Sequence, residues 1–548
     1  MTKLNYIAFA VILIIISSCA KQGTPMGGPI DKDPPKLQES FPKNETTNIK
    51  PEKLTLTFDE YVKLENAAKG IVITPRINKD EVVFTANKNI ITVNLNQDLE
   101  DNTTYVFDFQ KSVVDISEEN PAENLKLVFS TGNSIDSLTI EGKVNYLFPD
   151  NTVDFKKVIV GVYPIEDSTN IFTGPPYYLS QVDSSGNFKI TNIKNGNYLA
   201  YAWSDENGSL KAEFKSEPYD FILDTLQLDQ NLSNLEFGLS KADFTPIRVL
   251  RTGNVGRNTD IILNKNPVTV EISQESQKFD YQFSTSDKRV RIFPNTSIPD
   301  STQFRIQLID SVGFKVDTLL WAKFPETERK PEKLTFTANS GKNFYRQMEV
   351  ELTFNKPIQK INTDSLYVQY DSAGIIKIDP SMYYFTDSAR RDLLKITLTI
   401  PDSINKEIFT LKAADSTFID WENQYNEATL SANYKKVKRE SLADEISGTI
   451  MGSKPPYIVQ LIDSKSIVAR ELFLEKGNVF SFKLIEPGNY KIRVIEDWNG
   501  NKRWDPANFP QKRKAEPVFY YTNPETKDEL TIRSGWTLTD QIIQKKGQ

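Results

Sequence analysis

Apolar and polar positions alternate with a period of two through almost the whole chain. Leu54, Leu56 and Phe58 alternate with Thr55, Thr57 and Asp59. The same rhythm runs through Ile91/Val93/Leu95, Tyr105/Phe107/Phe109 and Leu125/Leu127/Phe129, and later through Phe304/Ile306/Leu308, Met348/Val350/Leu352/Phe354 and Ile396/Leu398/Ile400. Each run is short, half polar and bounded by Pro, Gly, Asn or Asp, which is how a strand with one face in a core and one in water is written. No long segment carries apolar residues at helical spacing. The pattern predicts an all-β chain of tandem antiparallel β-sandwiches.

The N-terminus breaks the rhythm. After Lys3, Ile7 to Ile16 is an unbroken apolar run, followed at once by Ser17-Ser18-Cys19. A bilayer-spanning helix needs about 20 residues, so this run fits the apolar core of a signal peptide over 1–18. Residues 19–35 contain four prolines and a Gly-Gly pair without apolar patterning, and they read as an extended tether. Cys19 is the only cysteine, which makes a disulfide impossible within one chain and points to acylation of its thiol.

Repetition divides the rest. Phe188, Ile193, Gly196-Asn197-Tyr198, Asp205 and Asn207-Gly208 recur at identical spacing as Phe480, Ile485, Gly488-Asn489-Tyr490, Asp497 and Asn499-Gly500. Two copies of one domain are expected, starting near Ile140-Glu141-Gly142 and near Ser447-Gly448-Thr449. A weaker pairing joins Leu54–Phe58 to Val350–Phe354. The expected units are 36–133, 134–242, 243–328, 329–440 and 441–548. The first and fourth are of one type, the second and fifth of another, and the third matches neither.

These residues carry a resemblance. Cys19, Gly23, Pro25, Gly27-Gly28-Pro29, Asp31 and Pro34-Pro35, followed by Leu56-Thr57-Phe58-Asp59-Glu60-Tyr61-Val62, resemble a lipoprotein family widespread in Bacteroidota. That family opens with a bacterial Ig-like domain of the S-layer type. Asn102-Thr103-Thr104-Tyr105, Asn120 and Phe129-Ser130-Thr131-Gly132 resemble that domain's closing strands. Asn187-Phe188…Gly196-Asn197-Tyr198 and its repeat look like the transthyretin-like sandwich of carboxypeptidase regulatory domains. The resemblance implies an Ig-like fold for 36–133 and 329–440, a transthyretin-like fold for 134–242 and 441–548, and an outer-membrane address. It leaves open whether the protein faces the periplasm or the cell surface. Asp followed by Ser or Thr and a small or apolar residue resembles the O-glycosylation sequon of the same phylum. It occurs at Ser137, Ser168, Thr225, Ser301, Ser311, Thr318, Ser365, Ser372, Ser388, Ser403 and Ser416. Composition would supply about two or three such triplets, although Asp-Ser and Asp-Thr also serve as ordinary turn pairs.

Charge and chemistry narrow the functions. With 39 % hydrophobic and 25 % charged residues the mature chain is globular. A net charge of −7 gives no basic face for nucleic acid, and the short run Lys512-Arg513-Lys514 reads as a solvated loop. There is no histidine, which removes imidazole general bases, Ser-His-Asp machinery and His-based metal sites. No phosphate-cradling loop for a nucleotide is present, because Ser340-Gly341-Lys342 lacks the upstream glycine. A carboxylate pair of the glycosidase kind or a Ser-Lys dyad is the chemistry left. One loop carries oxygen ligands at the spacing of a calcium site, Asp497, Asn499, Asn501 and Asp505, but Lys502 stands where such loops need glycine. Trp498 and Trp504 flank it and could stack on sugar rings or fold back over the sandwich. The leading expectation is a non-enzymatic, outer-membrane lipoprotein that scaffolds an envelope protein complex for assembly, secretion or uptake. A glycan-binding surface lipoprotein and a carboxylate-dyad hydrolase are its rivals. No cofactor is expected beyond calcium at the Asp497 loop.

Overall fold

The computed structural model describes residues 31–149, 153–273, 280–283, 287–293, 301–387, 390–523 and 528–545. Among them the chain is β-sandwich throughout, and its one α-helix is the four-residue Ala67–Gly70. Every apolar residue of the alternating runs named above is buried.

In the first sandwich, strands Leu37–Phe41, Lys53–Phe58, Ile90–Leu95 and Val82–Asn87 form one antiparallel sheet, and Val72–Thr74, Thr104–Asp108 and Lys126–Ser130 form another. Leu54, Leu56 and Phe58 meet Tyr105, Phe107 and Phe129 in the core between them. The same order returns later. Phe336–Ala338, Gln347–Phe354, Leu393–Thr399 and Tyr383–Phe385 make one sheet, and Leu430–Lys436, Ile408–Ala413 and Leu366–Gln369 lie in the other. The paired segments Leu54–Phe58 and Val350–Phe354 thus fall on the second strand of equivalent sheets.

The second repeat is closer. Asn187–Ile193, Leu138–Tyr146 and Leu232–Leu239 form a three-stranded sheet, matched by Val479–Ile485, Ala443–Met451 and Thr537–Gln544. Both depart from a purely antiparallel pattern, because the central and last strands run parallel. Gly142 and Gly448 hold this pairing. A Cβ on either would lie 1.9 Å from Leu235 O or 2.0 Å from Gln541 O. Gly448→Ala is therefore expected to force those strands apart and cost about 2 kcal/mol, read as a lower denaturation midpoint. An unchanged midpoint would show that the close approach is not needed.

Between the pairs, Val249–Val255, Asn258–Leu263, Arg289–Phe293 and Asp280–Phe283 pack on Thr269–Ser273, Ser301–Ile309 and Lys315–Lys323 around Phe304, Ile306 and Leu308. The sandwich that the sequence left without a match is thus a two-sheet unit of its own.

Candidate functional site

The Asp497 loop is built twice. In the last sandwich, Asp497 accepts the backbone N–H of Asn501 (3.1 Å) and of Lys502 (2.7 Å), and Asn499 accepts Asn501 N–H (3.0 Å). In the earlier copy Asp205 accepts from Ser209 (2.9 Å) and Leu210 (2.9 Å), and Asn207 accepts from Ser209 (2.8 Å). A buried glutamate closes each loop. Glu516 accepts from Trp498 (2.8 Å) and Asp505 (2.8 Å), and Glu217 from Glu206 (2.8 Å) and Glu213 (2.8 Å).

These bonds show how the residues of the calcium-like spacing are used within the loop itself. The side-chain oxygens of Asp497 and Asn499 accept backbone N–H groups, and Asn499 and Asn501 turn their amide NH2 groups toward Asp505 at 2.5 and 2.9 Å. The earlier loop repeats the backbone bonds to Asp205 and Asn207 with Ser209 in place of Asn501, while its Asn207 amide points to Glu213 at 3.4 Å. Among the described residues no group of three or more acidic, His or Cys side chains is placed to hold a metal. Asp497, Asn499, Asn501 and Asp505 form a hydrogen-bonded turn. The converging carboxylates are likewise engaged in building the loop, with backbone N–H groups on both oxygens of Glu516 and of Asp497.

Burial pushes the Glu516 carboxyl up to about 7, and the charges of Asp505 and Asp497 add to the rise against the N–H bonds from Asp505 and Trp498. A carboxyl raised on folding is a penalty when ionised. Its stabilisation is complete below the unfolded value near 4.5 and is lost as pH climbs through 7. The last sandwich is expected to gain on the order of 2 kcal/mol between pH 8 and pH 5 from this group. Glu516→Gln should flatten that slope in pH-dependent denaturation, and an equal slope in both proteins would refute the assignment.

The loop's second half is the part that differs. The connection is longer in the last sandwich, 497–517 against 205–218, and the added length reaches across to the earlier copy. Phe509 packs edge-on against Phe221 (5.6 Å) and Phe172 (5.3 Å). Lys514 Nζ lies 2.7 and 2.8 Å from the two oxygens of buried Asp220 and 2.8 Å from Phe221 O. Asn508, fully buried, donates to Val312 O of the middle sandwich (2.9 Å). Three units therefore meet in one apolar cluster containing Trp203, Tyr219, Phe244, Val312 and Ala507. Lys512-Arg513-Lys514 is not the solvated run the sequence suggested, since Lys514 is held inside this junction.

Other junctions are tied in the same way. Arg76 of the first sandwich donates to Asp167 (2.9 Å), Thr169 (3.0 Å) and Pro175 O (2.6 Å) of the second. Within the middle sandwich, Lys265 pairs with Asp310 (2.8 Å) and fixes the entering chain by donating to Asp243 O and Thr245 O at 2.6 and 3.0 Å. Arg291 forks onto Asp260 (2.7 and 2.9 Å) and reaches Glu332 (3.1 Å), while Asn258 donates to Glu422 (3.1 Å). Nothing in the local sequence marks these side chains, because their partners lie far along the chain.

The two tryptophans are not displayed together. Trp504 turns inward, stacking edge-on at 4.7 Å on Phe148 and donating its indole N–H to Glu516 O (2.9 Å). Trp498 remains 53 % exposed and donates to Glu496 (3.0 Å). Cys19 and Ser388 lie outside the described residues. Ser137, Ser168, Thr225, Ser301, Ser311, Ser372, Ser403 and Ser416 are exposed. Ser365 is half-buried, and Thr318 shares the inward register of Val316, Leu320 and Ala322, so these two are poor acceptors.

Residues 157–211, within the second sandwich, match the family model of polysaccharide lyase family 4, domain II. No curated protein matches. Similar solved structures include a Bacteroides ovatus SGBP-B of a mixed-linkage glucan utilization locus, in complex with a mixed-linkage heptasaccharide. It is 12 % identical over 61 % of this chain and 83 % of its own, with a TM-score of 0.16. The Bacillus anthracis TIE protein is 9 % identical over 98 % and 79 %, with a TM-score of 0.12. Dimeric latent PorU from Porphyromonas gingivalis is 10 % identical over 82 % and 33 %, with a TM-score of 0.16. Likenesses this distant carry no functional weight. Residues 31–131, the N-terminal sandwich, match the bacterial Ig-like domain model, which supports the Ig-like fold expected there.

Proposed function

We propose that this chain is a non-catalytic, lipid-anchored scaffold of an outer-membrane protein complex, attached through Cys19 and carrying O-linked glycans on its exposed sequons. The observation behind the reading is the return of the last sandwich onto the second through Lys514 and Asp220. That contact, with the Arg76 and Arg291 junctions, makes a braced frame out of what would otherwise be a flexible string of modules. A braced frame suits holding partners at fixed spacing, because little ordering entropy remains to be lost on binding. Tether and anchor would place the frame within reach of the membrane.

The reading is tested in native membranes. Wild-type protein should partition into detergent and carry acyl mass at Cys19, and cross-linking of solubilised membranes should recover one stable envelope complex. Cys19→Ser should release the protein to the soluble fraction. A mature N-terminus elsewhere, or a protein that always migrates alone after cross-linking, overturns it.

A further inference from the structure

The strand Lys315–Lys323 is an edge strand of the middle sandwich. Its inward positions Val316, Leu320 and Ala322 pack on the core beside Phe304, Ile306 and Leu308. The outward positions should then be polar, and Lys315, Asp317 and Lys323 are. Leu319 and Trp321 are not, yet they stand on the same water-facing side, 60 % and 57 % exposed. Exposed apolar side chains that belong to no core mark a contact surface when they are neighbours.

The surrounding residues indicate what it contacts. Directly across from Trp321 is Gln303, across from Leu319 is Arg305, and across from Asp317 is Gln307. Arg305 grips Asp317 with both prongs (2.6 and 2.6 Å), and Gln307 donates to the same carboxylate (2.9 Å). Three planar polar groups are thus fixed by one another on a flat sheet, two residues from Leu319 and four from Trp321. Their charges cancel, so the centre of the face is neutral and rich in hydrogen-bonding atoms. Beside it an indole face lies open. An apolar platform next to a rigid, neutral, planar polar network complements a sugar chain, whose rings have C–H faces and hydroxyl edges. Only at its ends, at Glu271 across from Gln307 and at Lys315 and Lys323, does the face carry further charge. From Trp321 to Asp317 the strand spans roughly 14 Å, room for an oligosaccharide rather than a single ring.

We propose that the outer face of Ser301–Ile309 and Lys315–Lys323 binds a neutral polysaccharide, with Trp321 stacking on a ring and Gln303, Arg305 and Gln307 meeting its hydroxyls. This site is independent of the scaffolding reading and distinct from the Trp498 and Trp504 region.

Affinity electrophoresis of the full chain tests it against soluble mixed-linkage β-glucan, xyloglucan, arabinoxylan and α-mannan, with hyaluronan and polygalacturonate as acidic controls. At least one neutral polymer should retard the protein. Trp321→Ala should weaken that retardation about tenfold or more, Arg305→Ala should weaken it less, and Trp498→Ala should leave it unchanged. Trp321 is exposed, so near-UV circular dichroism and the melting midpoint should show a folded variant. Absence of retardation by every neutral polymer, retardation by the acidic polymers alone, or full binding by folded Trp321→Ala overturns the proposal. A protein partner whose binding depends on Trp321, without any polysaccharide binding, would also reject it.

Discussion

Replacing Lys356 by methionine is expected to destabilise the sandwich of residues 334–434 by about 4 kcal/mol. The ammonium group is 1 % exposed and lies between two carboxylates, 3.0 Å from Asp420 and 2.8 Å from Glu422. Asp420 is itself fully buried and spends its other oxygen on the N–H groups of Glu422 (2.9 Å) and Gln424 (2.8 Å). Methionine would fill much of the lysine's volume. The loss therefore comes from electrostatics: two carboxylates remain where water cannot reach and no cation balances them. The same change loosens the junction to the middle sandwich, because Glu422 also receives the Asn258 amide. Hydrogen exchange of the strands Gln347–Phe354 and Ile408–Ala413 should accelerate accordingly. Adding Asp420→Asn to Lys356→Met should recover part of the loss, since it removes one stranded charge. A double variant no better than the single, or a single within about 1 kcal/mol of wild type, would show that the triad is worth no more than a surface pair.

Lys356 also marks where reading the chain residue by residue stops working. Alternation in Leu54–Phe58 or Met348–Phe354 states which face is buried, because a strand's period is set locally by its backbone. The repeated Gly142 and Gly448 were legible for the same reason, as was the doubled Asp-x-Asn turn. A lysine carries no such signal. Lys356, Lys514 and Arg76 look like solvent-facing charges until the fold brings carboxylates to them from 64, 294 and 91 residues away. Trp504 takes the second of the two courses its position offered, folding inward onto Phe148 and Glu516 O, partners the sequence does not connect with it. Trp321 could have been caught. It falls in phase with Lys315, Asp317 and Lys323, so the alternation already placed it on the polar face.

The second large effect is expected at Lys514, where the outcome is detachment more than unfolding. Asp220 sits in the strand Tyr219–Phe221 with its carboxylate 3 % exposed, and burial pulls its pKa upward against the lysine that holds it ionised. Its remaining partners are the backbone N–H groups of Gly238 (2.8 Å) and Phe221. In Lys514→Met the folded-back arrangement would seal an unpaired carboxylate under the 497–517 loop, at about 3 kcal/mol. Each sandwich has its own core apart from this cluster, so the cheaper response is for the loop to lift and let water reach Asp220. Exchange should then rise together in 204–221 and in 497–516, with the inner strands of both sandwiches protected as before. Small-angle scattering should report a longer maximum dimension. Phe509→Ala should act in the same direction, because it removes the ring wedged between Phe172 and Phe221. Asp220→Asn combined with Lys514→Met should cost less than the sum of the two single changes, as expected for one coupled pair. Unchanged scattering and exchange in Lys514→Met would mean that the returning sandwich is held by apolar contact alone. The frame would then owe its rigidity to the ring packing around Phe509, and Phe509→Ala, not Lys514→Met, would be the change that opens it.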